Sequence, residues 1–430
     1  MRILLLFFCI FCSTAVADDF LATMQIPGNE CLGSVAFLRS GDIVAGGNDF
    51  TSGDALLIRM NSEGDVLRAQ RIVGSSSDEI QGVLATSDGG AVVIGNTASF
   101  GAGNADAFIL KIRSTGAVAW KRTFGTSGNE HFVEVVQTRD SGFIVLGDAD
   151  HDPNLNDIVV AKFNSTGRFI WRKVFSAGDF DHASDLSLTS DGGVIVAIAA
   201  FFPDRVRSVI TKISGSGSVQ WSKMYGSSGD HIAVSVTESD DGGYYFTETF
   251  TPTGSQRSDN VLSKLDSSGN LVWSRIYRSP SPSPTFSVLK TGDGLLLTGH
   301  TGSGNSNNSL GVIISLDENG NIRWRKKVKL DSRPVFLGRP VVSAESILIS
   351  GCAGNRTTNN MDSMVLKMQP NGQIQGGCSR LTNFPLSRAN FNLTSSEIVL
   401  QEIPVPLLTS FPGFQITTFT AGESLVCSGE

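Results

Sequence analysis

Charge is scarce in this chain, and so are cysteine, histidine and long apolar runs. Charged residues make up 17% of the 430 positions and the formal net charge is −7. A mildly acidic surface without clustered cations excludes a nucleic-acid partner, which is held by Lys and Arg displacing phosphate counterions. No stretch approaches the roughly eighteen apolar residues of a membrane-spanning helix, so no transmembrane segment is expected. The apolar run 3–11 is too short to span. Placed between Arg2 and Ala15-Val16-Ala17, it reads as part of a signal peptide over residues 1–17, which puts the protein in a secreted or periplasmic setting. The sequence also lacks a Gly-x-Ser-x-Gly elbow, a His-Glu-x-x-His helix, a phosphate loop and a dinucleotide fingerprint. Those absences favour a binding protein over an enzyme.

Glycine and tryptophan are present in a pattern. All five tryptophans, Trp120, Trp171, Trp221, Trp273 and Trp324, fall 50 to 52 residues apart, each four residues after a glycine (Gly116, Gly167, Gly217, Gly269, Gly320). Self-similarity at this period means a stack of supersecondary units. One unit reads as four strands, 80–86, 91–96, 106–112 and 117–124, with Asp88-Gly89-Gly90 supplying the tight turn between the first two. Four-stranded units repeated around an axis make an all-β propeller. Residues 18–430 are read as one such domain.

Seven repeats run from about residue 29 to 381. The tail stays in register, because Gly422 lies 306 residues after Gly116, six repeats of 51. Eight blades are therefore expected, with 382–430 as a degenerate last blade and 20–26 supplying a strand that closes the ring; seven blades plus a separate tail is the alternative. Cys31, Cys352, Cys378 and Cys427 all lie near the closure, so at least one disulfide should tie the ends together, with three pairings open.

The segment Lys264-Leu265-Asp266-Ser267-Ser268-Gly269-Asn270-Leu271-Val272-Trp273 resembles the tryptophan-docking motif of pyrroloquinoline-quinone dehydrogenase propellers and the repeats of the outer-membrane β-barrel assembly lipoprotein. That resemblance implies tryptophans packed between blades and an eight-bladed ring. The Asp-Gly-Gly turns are similar to those of secreted bacterial propeller repeats without a common activity. The quinone enzymes carry a vicinal cysteine pair that this chain lacks, so no catalytic residue is transferred.

Features shared by most repeats are scaffold: the tryptophans, the Asp-Gly-Gly turns and the third-strand cations Arg59, Lys111, Lys162, Lys212, Lys264 and Lys367. Features confined to a few repeats are candidates for function. His131, His182 and His231 fall ten or eleven residues after a tryptophan, each behind an acid (Glu130, Asp181, Asp230). If the rings converge at the channel mouth they form a transition-metal or acid–base site. The run containing Asp148, Asp150, Asp152 and Asp157 resembles a calcium loop, although Pro153 and Val159 stand where such a loop has Gly and Glu. Phe201-Phe202-Pro203-Asp204-Arg205 is an aromatic and basic loop suited to binding, with Phe201, Phe202 and Arg205 as its candidate contact residues. The loops at 302–308 and 355–360 are small and polar, and glycosylation-type sequons occur at Asn164, Asn307, Asn355 and Asn392. The first functional reading is a non-enzymatic scaffold that binds a protein or glycan through one face. The second is a metal protein or enzyme centred on the three histidines, with a transition metal or calcium as cofactor.

Overall fold

The computed structural model describes residues 19–428 apart from 27, 153–154, 280–285, 303–308, 332, 355–360, 376, 384, 386, 403–407, 411–414 and 420–421. The expected signal peptide, the loop 303–308 with Asn307, and the sequon at Asn355 lie outside the described residues. No helix among the described residues is long and apolar enough to cross a membrane.

The described residues form seven antiparallel sheets of five strands each. Blade 2 shows the pattern: strand a is Asp78–Ala85, b is Ala91–Thr97, c is Asp106–Ile112 and d is Val118–Gly125. Strand c is buried along its whole length because both faces of a blade pack on neighbouring blades, which is why its sequence is a continuous apolar run rather than an alternating one. The a strands of consecutive blades are neighbours around a closed ring, and the a strand of blade 7 (Val335–Val342) returns to that of blade 1 (Glu30–Phe37).

Adjacent blades are keyed by the tryptophans. At Gly167, φ is +75° and an added Cβ would lie 2.6 Å from the Trp120 ring of the previous blade. The same contact joins Trp171 to Gly217, Trp221 to Gly269, Trp273 to Gly320 and Trp324 to Gly372. Only glycine combines this backbone with so close an approach. The rings are interblade, as expected, but half-buried at the blade edge. At the seam Phe20 takes the tryptophan position, pairing with Lys367 and lying against Gly64 of blade 1. The N-terminal strand Phe20–Gln25 is thus strand d of blade 7, between Asp362–Met368 and the tail.

The expectation of eight blades is overturned. Among the described residues the tail makes no sheet of its own. Its strands Leu381–Thr382, Ser387–Asn390, Thr394–Glu397, Gln401–Glu402, Leu408–Ser410, Gln415–Phe419 and Gly422–Ser428 each add a fifth, outermost strand to blades 6, 5, 4, 3, 2, 1 and 7 in turn. Successive segments of two to seven residues are too short to pair with one another as a blade, and each instead satisfies an exposed edge. Phe391, Leu393, Ile398 and Leu400 anchor this belt against the blade cores. The register of Gly422 with the repeats is a coincidence of length.

Two disulfides close the assembly. Cys31–Cys352 crosses the seam between blades 1 and 7, and Cys378–Cys427 joins the start of the belt to its end. The belt therefore becomes a covalent hoop around the propeller.

Candidate functional site

The d–a and b–c connections lie on one face of the disc, the loop face, and the a–b and c–d turns lie on the other, the turn face. Strand a enters from the loop face, and each of the first five a strands carries a one-residue irregularity a few positions in. Counting from it, His131 (blade 3) and His182 (blade 4) occupy equivalent positions. His231 (blade 5) sits one residue earlier, in register with Glu130 and Asp181. A one-residue shift in a strand turns the side chain to the opposite face.

The structure therefore brings two of the three histidines together. His131 Nε2 lies 2.9 Å and His182 Nδ1 lies 3.1 Å from the same oxygen, Oδ2 of Asp148, and the Ala183 N–H donates to Oδ1 at 2.6 Å. Asp148 is buried, while the two imidazoles are partly open to solvent. Burial pushes the Asp148 carboxyl up, and the hydrogen bonds from His131 and His182 outweigh it and hold it below its ordinary value. The Asp148 hydrogen bond raises His182 above the usual imidazole range.

His231 is fully buried. Its Nε2 accepts the Ser227 N–H at 3.0 Å, which leaves the ring proton on Nδ1 facing Glu248 at 2.9 Å. This is the slot in which Glu130 accepts from the Thr126 N–H and Asp181 from those of Ala177 and Gly178. In blades 3 to 5 the slot holds down the loop entering the blade, so His231 is an architectural substitute for a carboxylate. Burial raises Glu130 and Asp181 to about 6. In blade 1 the same slot holds Glu30, which is wholly buried with no hydrogen bond to either carboxylate oxygen. Burial, with Asp49 and Asp362 nearby, raises Glu30 to about 7.

Of the other predicted residues, Asp148 and Asp150 stand on strand b (Phe143–Asp152) and Asp157 on strand c (Leu155–Phe163), so the acidic run is split across a hairpin. Asn129 donates to Asp150 at 3.2 Å, Asp157 is buried, and the side chain of Asp152 lies outside the described residues. No group of three or more His, Cys, Asp or Glu among the described residues is placed to hold a metal ion. Phe201 packs with His182 and with Phe180, a residue the sequence reading passed over. The three rings meet edge to face, Phe180–His182 at 5.2 Å and 79°, Phe180–Phe201 at 6.0 Å and 85°, and His182–Phe201 at 6.0 Å and 71°. Phe180 is 40% exposed. Phe202 is half-buried and Arg205 is paired with Asp204 at 2.5 Å.

The axis beneath is closed. Arg339, in the irregular part of the blade 7 a strand, reaches across to Glu134 of blade 3 and Asp185 of blade 4. Ser235 and the Val236 N–H bind the other Asp185 oxygen. Burial pushes both carboxyls up, and Arg339 opposes that. The guanidinium is held protonated by the pair. An ion cluster joining opposite blades blocks passage through the centre. Its only sequence signal is the position of Glu134 and Asp185 three residues after His131 and His182.

No family model matches the chain, and no curated protein matches it. Solved structures match in fold. Polysaccharide lyase Uly1 superposes with a TM-score of 0.52 at 8% identity, covering 80% of this chain and 90% of the lyase. Sqt1 from Chaetomium thermophilum (TM-score 0.44, 9% identity, 81% and 99% covered) and the Synechocystis apocarotenoid oxygenase Glu150Asp mutant (0.45, 8%, 86% and 98%) are more distant. At these identities the likeness is one of fold alone.

Proposed function

We propose that this is a secreted or periplasmic binding propeller that docks a protein partner on its loop face, across blades 3 and 4. The supporting observation is the partly exposed cluster of Phe180, His182 and Phe201, with Arg205 on the same b–c hairpin. Aromatic residues and arginine are the usual anchors of protein interfaces. The rings present edges at near right angles instead of a flat platform, which suits an inserted side chain better than a stacked sugar. The blocked axis leaves the face, not the channel, as the working surface. Two disulfides accord with an oxidising compartment, and the interblade tryptophan–glycine keys support kinship with tryptophan-docking repeats. Immobilised protein should retain a partner from extracellular extract that a Phe180→Ala/Phe201→Ala/Arg205→Ala variant releases. Equal retention by both would reject the patch.

A second reading rests on the two imidazoles sharing Asp148: an acid–base or metal centre at His131 and His182. Metal analysis of untagged protein, with and without His131→Ala/His182→Ala, separates it from the first.

A further inference from the structure

The internal repeat makes one departure conspicuous. In blades 2 to 5 a strand c lysine meets an aspartate three residues before strand b: Lys111–Asp88 at 2.9 Å, Lys162–Asp140 at 2.8 Å, Lys212–Asp191 at 2.9 Å and Lys264–Asp241 at 2.7 Å. In blade 1 Arg59 takes the lysine position and pairs with Asp42, one residue before strand b, at 2.6 Å, and blade 7 keeps Lys367, which reaches the Ser62 carbonyl. Blade 6 departs from this pattern: Ser315 stands opposite Trp324 as Lys111 stands opposite Trp120, and its a–b turn is one residue shorter, so Gly292 stands three residues before Leu295, where blades 2 to 5 have the aspartate. The nearest acid, Asp293, is turned outward and bound by Arg323 at 2.6 Å.

The consequence is a cavity. Between blades 6 and 7 on the turn face lies a pocket of about 530 Å³ lined by Gly292, Ser315 and Trp324. The corresponding slot between blades 1 and 2, where Arg59 and Arg68 fill the same two positions, holds about 30 Å³. Losing only the lysine would leave an aspartate unpaired, and losing only the aspartate would leave a lysine unpaired. In blade 6 the lysine is replaced by Ser315 and the turn acid Asp293 is taken up by Arg323, which empties the slot without leaving an unpaired charge, and the resulting volume falls in the ~300–1,000 Å³ range of small-molecule sites.

We propose that this pocket binds a neutral saccharide of one or two rings. The part of the half-buried Trp324 indole not covered by Gly372 lines the pocket together with Leu296 and Ile347 and offers a surface for a sugar ring. Ser315, Ser343 and Asn371 offer hydroxyl and amide groups, and the Arg323–Asp293 pair is a planar polar wall whose charges cancel. With Ser315 in place of the buried lysine, and Arg323 and Asp293 paired with each other, the pocket offers no unpaired charge to an ionic ligand. The site lies on the opposite face from the His182 patch and does not depend on the function proposed for it.

The test restores the missing pair. A Gly292→Asp/Ser315→Lys variant should rebuild the ion pair of blades 2 to 5 and fill the pocket. Gly292 has open space around its Cβ position and tolerates the change. Glucose, mannose, galactose, maltose and cellobiose are titrated by ligand-observed NMR, with indole as an apolar probe and thermal unfolding as the check on folding. At least one sugar should bind saturably, with affinity at least ~10-fold weaker in the double variant and in Trp324→Ala, and unchanged in Phe180→Ala. The proposal is overturned if no sugar of this panel binds, if binding survives in the folded double variant, or if only indole binds.

Discussion

Opening the hoop tests the architecture most directly. Cys378 and Cys427 are separated by 49 residues, and cross-linking a loop of that length removes about 4 kcal/mol of unfolded-state entropy on the chain-entropy estimate. With an unfolding entropy of roughly 2.1 cal/mol/K per residue over about 410 residues, this corresponds to ~4–5 °C in Tm. Cys31–Cys352 spans 321 residues and the same estimate gives about 6 kcal/mol, or ~7 °C. The ordering of the two effects is less informative than where the structure loosens. In a Cys378→Ser/Cys427→Ser variant the belt is held by strands as short as two residues, so amide exchange should accelerate over 381–428 while the a to d strands keep their protection. Pulse-labelled exchange with mass spectrometry reads this directly. Uniform loss of protection across blade 7 and the tail, or no change in the tail at all, would refute the belt.

Asp148→Asn should lower the His182 titration midpoint towards that of an ordinary imidazole, measurable by NMR; an unmoved midpoint would mean the hydrogen bond does not set it. The sign for stability follows: His182, raised when folded, stabilises below its unfolded pKa and loses this as pH rises through its folded one, while Asp148, lowered, stabilises above its unfolded pKa and loses this in acid. Glu30, raised to about 7 by burial, makes folding less favourable as pH climbs from the ordinary carboxyl range to about 7. Glu30→Gln should therefore gain stability relative to the parent at pH 8 and not at pH 4, and urea titrations at the two pH values decide it. Trp221→Ala should cost about 2–3 kcal/mol, less than a fully buried ring because Trp221 is half-buried, and a loss under about 1 kcal/mol in chemical denaturation would show that the keys do not hold the blades.

The strands and their order were legible because the period of fifty-one residues repeats local signals many times: blade 2 runs 78–85, 91–97, 106–112 and 118–125, within two residues of the sequence reading. The histidine site was half legible. Spacing from the tryptophan locates a residue only to within one position, and strand side chains alternate with a period of two. The ten-residue offset of His231, against eleven for His131 and His182, was enough to move it from the solvent-facing row to the buried row of Glu130 and Asp181. Asp148 was visible as an acid, but its role depends on pairing with His131 across one hairpin and meeting His182 from the next blade, and no local signal encodes that.

The tail was illegible for a different reason, which lies in geometry. Its contacts step one blade for about every seven residues, a period the fifty-one-residue repeat conceals. Sheet twist makes that step possible: at roughly 20–25° per strand, four steps turn the outermost strand by ~80–100° from the innermost, so a chain pairing on the outer edge runs around the disc instead of along its axis. Every described belt strand is antiparallel to its neighbour in the blade, so successive belt strands run the same way around the disc. Seven extended residues reach ~23–25 Å, and seven such steps make a perimeter of ~160–175 Å and a radius of ~26–28 Å. Four interstrand spacings account for ~19 Å of that radius, and the Arg339–Glu134–Asp185 centre with its ring of a strands supplies the rest. The belt length is thus matched to a seven-bladed ring: an eighth blade would lengthen the circuit by ~23–25 Å and leave Cys427 short of Cys378.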